Sequence, residues 1–387
     1  MNRKIIIITA LLFIGLISSS IVIALSVANK QTPLKPINKQ FYVGVEFAYS
    51  DQFGELKALV DKVKDYTNLF VIGAIGVSFN KAVLNQCTDY IFSSGLNFIV
   101  LFTGLDMYNY DITEWMQEAN LKYGDKFLGI YRFDEPGGNQ LDRTQFMLIN
   151  DTTTYAQTAG SYVGNLSTIV NYSFEHGKVT NIFTSDYGLY WFDYASNYTT
   201  VFGEIVGNQT HQDKERMFAL DRGAAESFNK SWGIIVTWKY AFQEPYLENG
   251  TELYNDLSMA YNTGASYAVV FSYPNVTDSN YGTLTNQHFE ALRKFWINIH
   301  NNPSNFASNT ASVAPVIPKD YGFSFRNPND SIWGLFLPDT LTQKIWNDST
   351  TLLSQFGANL NIYDEHEIIG PTLSNYTKAF YWNQTIT

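Results

Sequence analysis

Eight short apolar runs between positions 42 and 272, separated by amphipathic stretches, constrain this chain most. They are Tyr42–Phe47, Leu69–Val77, Asn97–Phe102, Phe127–Phe133, Val179–Thr184, Val201–Val206, Gly233–Trp238 and Tyr267–Ser272. Most are near-continuous in Val, Ile and Phe rather than cleanly alternating, the pattern of parallel strands covered on both faces. Helical spacing recurs between them. Leu56, Leu59, Val60 and Val63 fall at i, i+3, i+4 and i+7 in the first interval. The pattern predicts further helices over 81–93, 112–123, 143–170, 213–228, 252–261 and 285–299; only the connection after Thr184 lacks one. Eight βα units over about 260 residues predict an α/β fold, a (β/α)8 TIM barrel. The alternative is a doubly wound sheet, which the absence of a G-x-G-x-x-G turn after the first strand disfavours.

The barrel is expected over 40–300, followed by a Pro/Asn/Ser/Ala linker at 301–318 and a small α/β extension at 319–387. Ahead of it lies a polar, Pro-containing linker at 29–39. Arg3 and Lys4 precede an uncharged apolar run that predicts, over 1–28, a cleaved signal peptide or a transmembrane anchor. Residues 5–25 are long enough to anchor the chain in a membrane. The rest is then expected outside the cytoplasm, secreted or held at the cell surface.

Twelve N-x-[ST] sequons agree with export, roughly twice what this composition predicts. They lie at Asn150, Asn165, Asn171, Asn197, Asn208, Asn229, Asn249, Asn275, Asn329, Asn347, Asn375 and Asn383. A net charge of -11 leaves no basic footprint for nucleic acid. With one cysteine and five scattered histidines, no zinc-type spacing exists, and no cofactor is expected. That argues against a metal-dependent deacetylase or phosphohydrolase.

In such a barrel the active site forms at the C-terminal strand ends. The fourth run closes Tyr131-Arg132-Phe133-Asp134-Glu135-Pro136-Gly137-Gly138: a cation and two carboxylates end an apolar strand before a sharp turn. A carboxyl half-buried there has a raised pKa, as a general acid needs. Phe133-Asp134-Glu135-Pro136 resembles the Asn-Glu-Pro signature that ends strand four in clan A glycoside hydrolases. The resemblance implies a (β/α)8 barrel that hydrolyses glycosidic bonds, with Glu135 as acid/base and Asp134 in the place of the sugar-binding Asn.

The family's nucleophile is a Glu ending strand seven. Here that strand reads Ile234 to Trp238, Lys239, Tyr240, without a carboxylate. The candidates for the second catalytic carboxylate are therefore Glu244, Asp186 and Glu46. Glu46 shares a strand face with Gly44, so if Val43, Val45 and Phe47 meet helices it points into the barrel. Glu204 and Asp106 are weaker candidates. Arg132 is expected in the site, or paired with a carboxylate. Tyr187, Trp238, Tyr240 and Tyr273, among many aromatics near strand ends, are candidates to stack on sugar rings. An acidic, aromatic mouth suits a neutral or basic polysaccharide or oligosaccharide. Two carboxyls about 5 Å apart would imply retention, and about 6.5–9.5 Å inversion. The alternative reading is a non-catalytic surface glycoprotein whose degenerate barrel binds glycans or builds an envelope.

Overall fold

A computed structural model describes residues 41–104, 107–206, 209–237, 239–240, 246–272, 284–365 and 373–384. The expected leader and the linker at 29–39 lie outside them. Among the described residues no helix is long and apolar enough to cross a membrane.

Eight strands close a parallel barrel: β1 (Tyr42–Phe47), β2 (Leu69–Ile72), β3 (Asn97–Phe102), β4 (Phe127–Arg132), β5 (Ile182–Asp186), β6 (Thr200–Val206), β7 (Ser231–Thr237) and β8 (Tyr267–Ser272). Neighbours follow the order β1-β8-β7-β6-β5-β4-β3-β2. The crossovers carry α1 (Phe53–Val63), α2 (Ile75–Phe79), α3 (Lys81–Ser93), α4 (Ile112–Tyr123), α5 (Pro136–Leu141), α6 (Tyr155–Gly177), α7 (Tyr190–Ala195), α8 (His211–Ser227), α9 (Gly250–Asn262) and α10 (Asn286–Asn301). The α/β barrel expected from the strand pattern is therefore present.

Boundaries differ where local chemistry overrides periodicity. The second run stops at Ile72, because Ala74 in extended geometry starts the short α2. The helix predicted from 143 begins at Tyr155, where the Thr154 side chain caps the Gln157 amide. The connection after β5, where no helix was expected, holds the six-residue α7.

Two apolar layers hold the barrel. Outward residues such as Val43, Val45 and Phe47 join the large cluster under the helices. Inward residues, among them Leu69, Val71, Ile99, Leu101, Leu128, Tyr131, Phe183, Phe202, Ile235, Tyr267 and Val269, fill the bore. Phe183, Phe202 and Tyr267 form its aromatic plug, with ring centroids 5.3–5.8 Å apart. The bore is thus a packed core, and the space for chemistry lies above it.

β4 carries one irregularity. Phe98 pairs with Phe127, but Ile99 pairs with Gly129, so β4 holds an extra residue. Gly129 sits at φ 139°, and a Cβ there would lie 2.1 Å from the Asn181 carbonyl oxygen. Only glycine fits. Beyond the bulge, Tyr131 registers with inward Leu101 and Arg132 with outward Phe102.

The C-terminal extension forms a parallel sheet, with β9 (Val313–Ile317) between β10 (Tyr363–Asp364) and β11 (Lys378–Tyr381), and with α11 (Thr340–Phe356). β9 falls inside the stretch expected to be a linker, because its apolar run pairs with chain about 50 or more residues away. Buried Arg222 of α8 clasps the extension. It donates to Asn361 Oδ1 at 2.6 Å and to the carbonyls of Ala358 (2.6 Å), Leu360 (3.0 Å), Asn309 (3.3 Å) and Thr263 (3.2 Å).

Two substitutions test this. Gly129→Ala meets backbone and an unfavourable φ at once, so it should cost more than about 2 kcal/mol in urea unfolding. Arg222→Lys keeps the charge but loses the planar fork. It should cost about 2–4 kcal/mol and expose the 358–361 amides to hydrogen exchange first.

Candidate active site

The turn after β4 is strained. Phe133 (φ 57°) and Glu135 (φ 48°) are both left-handed, a conformation costing about 1–3 kcal/mol per non-glycine residue. Neighbouring groups over-determine it. Thr184 Oγ1 donates to the Phe133 carbonyl (2.8 Å), and the Glu135 amide donates to the Ser185 carbonyl (3.2 Å). Asn139 Nδ2 donates to the carbonyls of Asp134 (2.9 Å) and Glu135 (2.8 Å).

Asp186, fully buried at the end of β5, completes the clasp. Its carboxylate takes the amides of Gly137 (2.5 Å), Gly138 (2.9 Å), Tyr187 (2.8 Å) and Gly188 (3.3 Å). Asp186 was expected as a catalytic carboxylate. Instead it alternates with inward Phe183 and engages the start of α5, so its oxygens hold the turn.

The turn delivers two carboxyls to the barrel mouth. Asp134 Oδ1 accepts the Tyr131 hydroxyl, and lies 3.4 Å from Ser185 Oγ. Ser185 Oγ donates to Glu204 Oε1 on β6 at 2.6 Å, and stands 2.7 Å from the Tyr131 oxygen. The carboxyls of Glu135 and Glu204 lie close enough that each shifts the other's titration. Neighbouring carboxyls repel when both are ionised, which favours a proton on one of them. Glu46 approaches from β1, as its strand face predicts; it feels the charge of Asp134, and Tyr131 feels that of Glu46.

Burial raises every one of these acids. Glu135 rises from the ordinary 4.5 to about 7 through burial and then repulsion from Asp134. Glu46 rises to about 8 for the same two reasons. Glu204 is pushed well up by burial and then by Glu135. Water reaches Asp134, yet protein surrounds it closely enough that burial raises its carboxyl too.

The mouth thus unites Glu46, Asp134 and Glu135 with three residues that the strand-end reading ranked low or missed: Glu204, Ser185 and Tyr131. Their signal was the inward alternation Phe183-x-Ser185 and Phe202-x-Glu204. Arg132 stays out of it. The bulge turns it outward, where its guanidinium donates to the Phe102 carbonyl at 3.1 Å and pairs with no carboxylate. Tyr190 and Trp191, near the end of β5, are core residues. Tyr187 lies at the rim, its hydroxyl donating to Asp142 (2.7 Å) and its ring under Arg326. Asp106, Trp238, Glu244 and Tyr273 lie outside the described residues, as does the side chain of Tyr240.

No known family profile matches the chain. No curated protein matches it in sequence. Its fold is shared with solved glycosidases. One is alpha-L-fucosidase isoenzyme 2 from Paenibacillus thiaminolyticus, with 12% identity, TM-score 0.53, and coverage of 88% of this chain and 60% of that one. Another is a beta-galactosidase from the psychrophilic Marinomonas ef1, with 10% identity, TM-score 0.59, and coverage of 88% and 75%. The chain spans less than two thirds of the fucosidase. At these identities the likeness is one of fold: a TIM barrel of the kind these glycosidases use.

The raised acids make stability depend on pH. In the folded state Glu135 and Glu46 keep their protons up to about 7 and about 8, whereas unfolded glutamate releases its proton near 4.5. Between those values the folded state binds more protons, so unfolding free energy falls as pH rises. Urea unfolding across about pH 5 to 8 should show that decline, and Glu46→Gln should flatten it.

Proposed function

We propose that the chain is a glycoside hydrolase, with Glu135 as general acid. The observation that carries this is the pairing of Glu135 with Glu204 in the barrel mouth, two carboxyls that shift each other's titration, with Glu204 held by Ser185. A glycosidase needs one carboxyl protonated near neutrality and a second ionised beside it, and such a pair supplies both states. Glu135 would protonate the leaving oxygen. Glu204, steadied by Ser185, would act as base or nucleophile and so take the role that strand seven does not fill in the described residues. Asp134, carried by the same turn, would contact the sugar, as the strand-four resemblance implies. A neutral or basic polysaccharide or oligosaccharide fits an acidic mouth.

The same pairing favours a second reading. A glycosidic oxygen must fit between acid and base, and two carboxyls that interact directly leave it little room. A barrel that binds glycans without turning them over would keep such a pair closed.

We also propose export. Ten of the twelve sequon asparagines lie in the described residues; nine are exposed and Asn171 is half-buried. That pattern suits glycosylation on a secreted or membrane-anchored protein.

The test is release of reducing ends from a panel of polysaccharides by the full-length chain. Glu135→Gln and Glu204→Gln should each lower the rate at least about a hundredfold. The parent's rate should fall above pH about 7, as Glu135 loses its proton. Equal rates in parent and Glu135→Gln would remove Glu135 from the mechanism. Glycan binding without turnover on the whole panel would favour the second reading.

A further inference from the structure

The mouth holds more acid than it can satisfy. Glu46, Asp134, Glu135 and Glu204 gather there, and among the described residues no lysine, arginine or histidine forms an ion pair with any of them. Arg132, the cation nearest in sequence, is turned to the outer face. Arg326, at the rim, is bound to Asp142 and Asp330.

Hydrogen-bond donors are also short. Two hydroxyls, Tyr131 and Ser185, serve Asp134 and Glu204. Each carries one proton, against eight carboxyl oxygens. Glu46 receives nothing. It is 7% exposed, no described residue hydrogen-bonds its carboxyl, and it faces the cluster across Asp134. Its place is built rather than accidental. A Cβ on Gly73 would fall 1.8 Å from Glu46 Oε1, so the end of β2 is kept bare to admit that side chain. Its oxygens open only onto the mouth, where a ligand can supply the donors that the protein does not.

We propose that the ligand of this mouth is an amino-glycan, a sugar bearing a free ammonium group, and that Glu46 is its anchor, giving up its proton as the ammonium arrives. This rests on the reading of the mouth as a glycan site. A neutral sugar hydroxyl brings an acceptor with every donor. An ammonium brings three donors, no acceptor and a compensating charge. N-acetylation would remove that charge and leave Glu46 unsatisfied.

Titration calorimetry on the full-length chain tests the proposal. The probes are oligomers of glucosamine and of galactosamine, set against their N-acetylated forms and cellohexaose. At least one amine oligomer should bind about tenfold or more tighter than its neutral counterparts. The advantage should shrink at high salt. Glu46→Gln should erase the preference, and Glu46→Asp should restore part of it. Circular dichroism on both variants verifies that they are folded.

Equal binding of amine and neutral oligomers, or no binding of any amine, would overturn the proposal. Hydrolysis of neutral glycans without amine preference would overturn it while leaving the glycosidase reading intact. Amine-selective binding without hydrolysis would uphold it and count against turnover.

Discussion

A single extra residue in β4 sets the chemistry of the mouth. Side chains alternate along a strand, so one inserted residue exchanges the inward and outward sets beyond it. With Gly129 bulged against the Asn181 carbonyl, Tyr131 enters the bore and Arg132 leaves it. Without the bulge, a guanidinium would stand among Glu46, Asp134 and Glu204 and neutralise them. With it, the barrel opens onto acids bridged only by a phenol and a serine hydroxyl. Burial raises these carboxyls first, and with Arg132 turned away no guanidinium among them draws them back down.

The second constraint is the clasp around the β4 turn. Two left-handed residues flank Asp134, and such strain persists only where the surroundings over-determine it. β5 supplies those surroundings through Thr184, the Ser185 carbonyl and the fully bonded Asp186 carboxylate. An acid that looks catalytic by position is a buried brace. The acid that pairs with Glu135 comes from the next strand. Asp186 braces the strained turn, which leaves the turn's own carboxyls open to the mouth.

The C-terminal extension bears on the site at one edge. Trp333 is buried against Tyr162 and Phe192, and Gln140 at the end of α5 donates to its carbonyl at 3.0 Å. This segment is a packing element. From the same segment Arg326 reaches Asp142 and lies over Tyr187, which makes it part of the rim. Arg222 ties the extension's sheet to α8 independently. The barrel wall and the extension therefore share one core.

The sequence alone determined the barrel, because eight apolar runs with helical spacers bury well in few other ways. It determined the inward face of Glu46, since alternation with Val43, Val45 and Phe47 leaves that side chain no other direction. It also singled out Asp134 and Glu135, through the Pro136-Gly137-Gly138 turn that ends the strand. What it left open depended on contacts between strands distant in sequence. Alternation read straight through β4 cannot anticipate a bulge whose cause is a carbonyl 52 residues away, at Asn181. Local sequence around Asp186 does not show that four backbone amides claim its oxygens. Nor does anything near Glu204 announce Glu135 as its partner. Strand faces are local properties and can be read from the chain; register, and with it which charges meet, is decided only when the barrel closes.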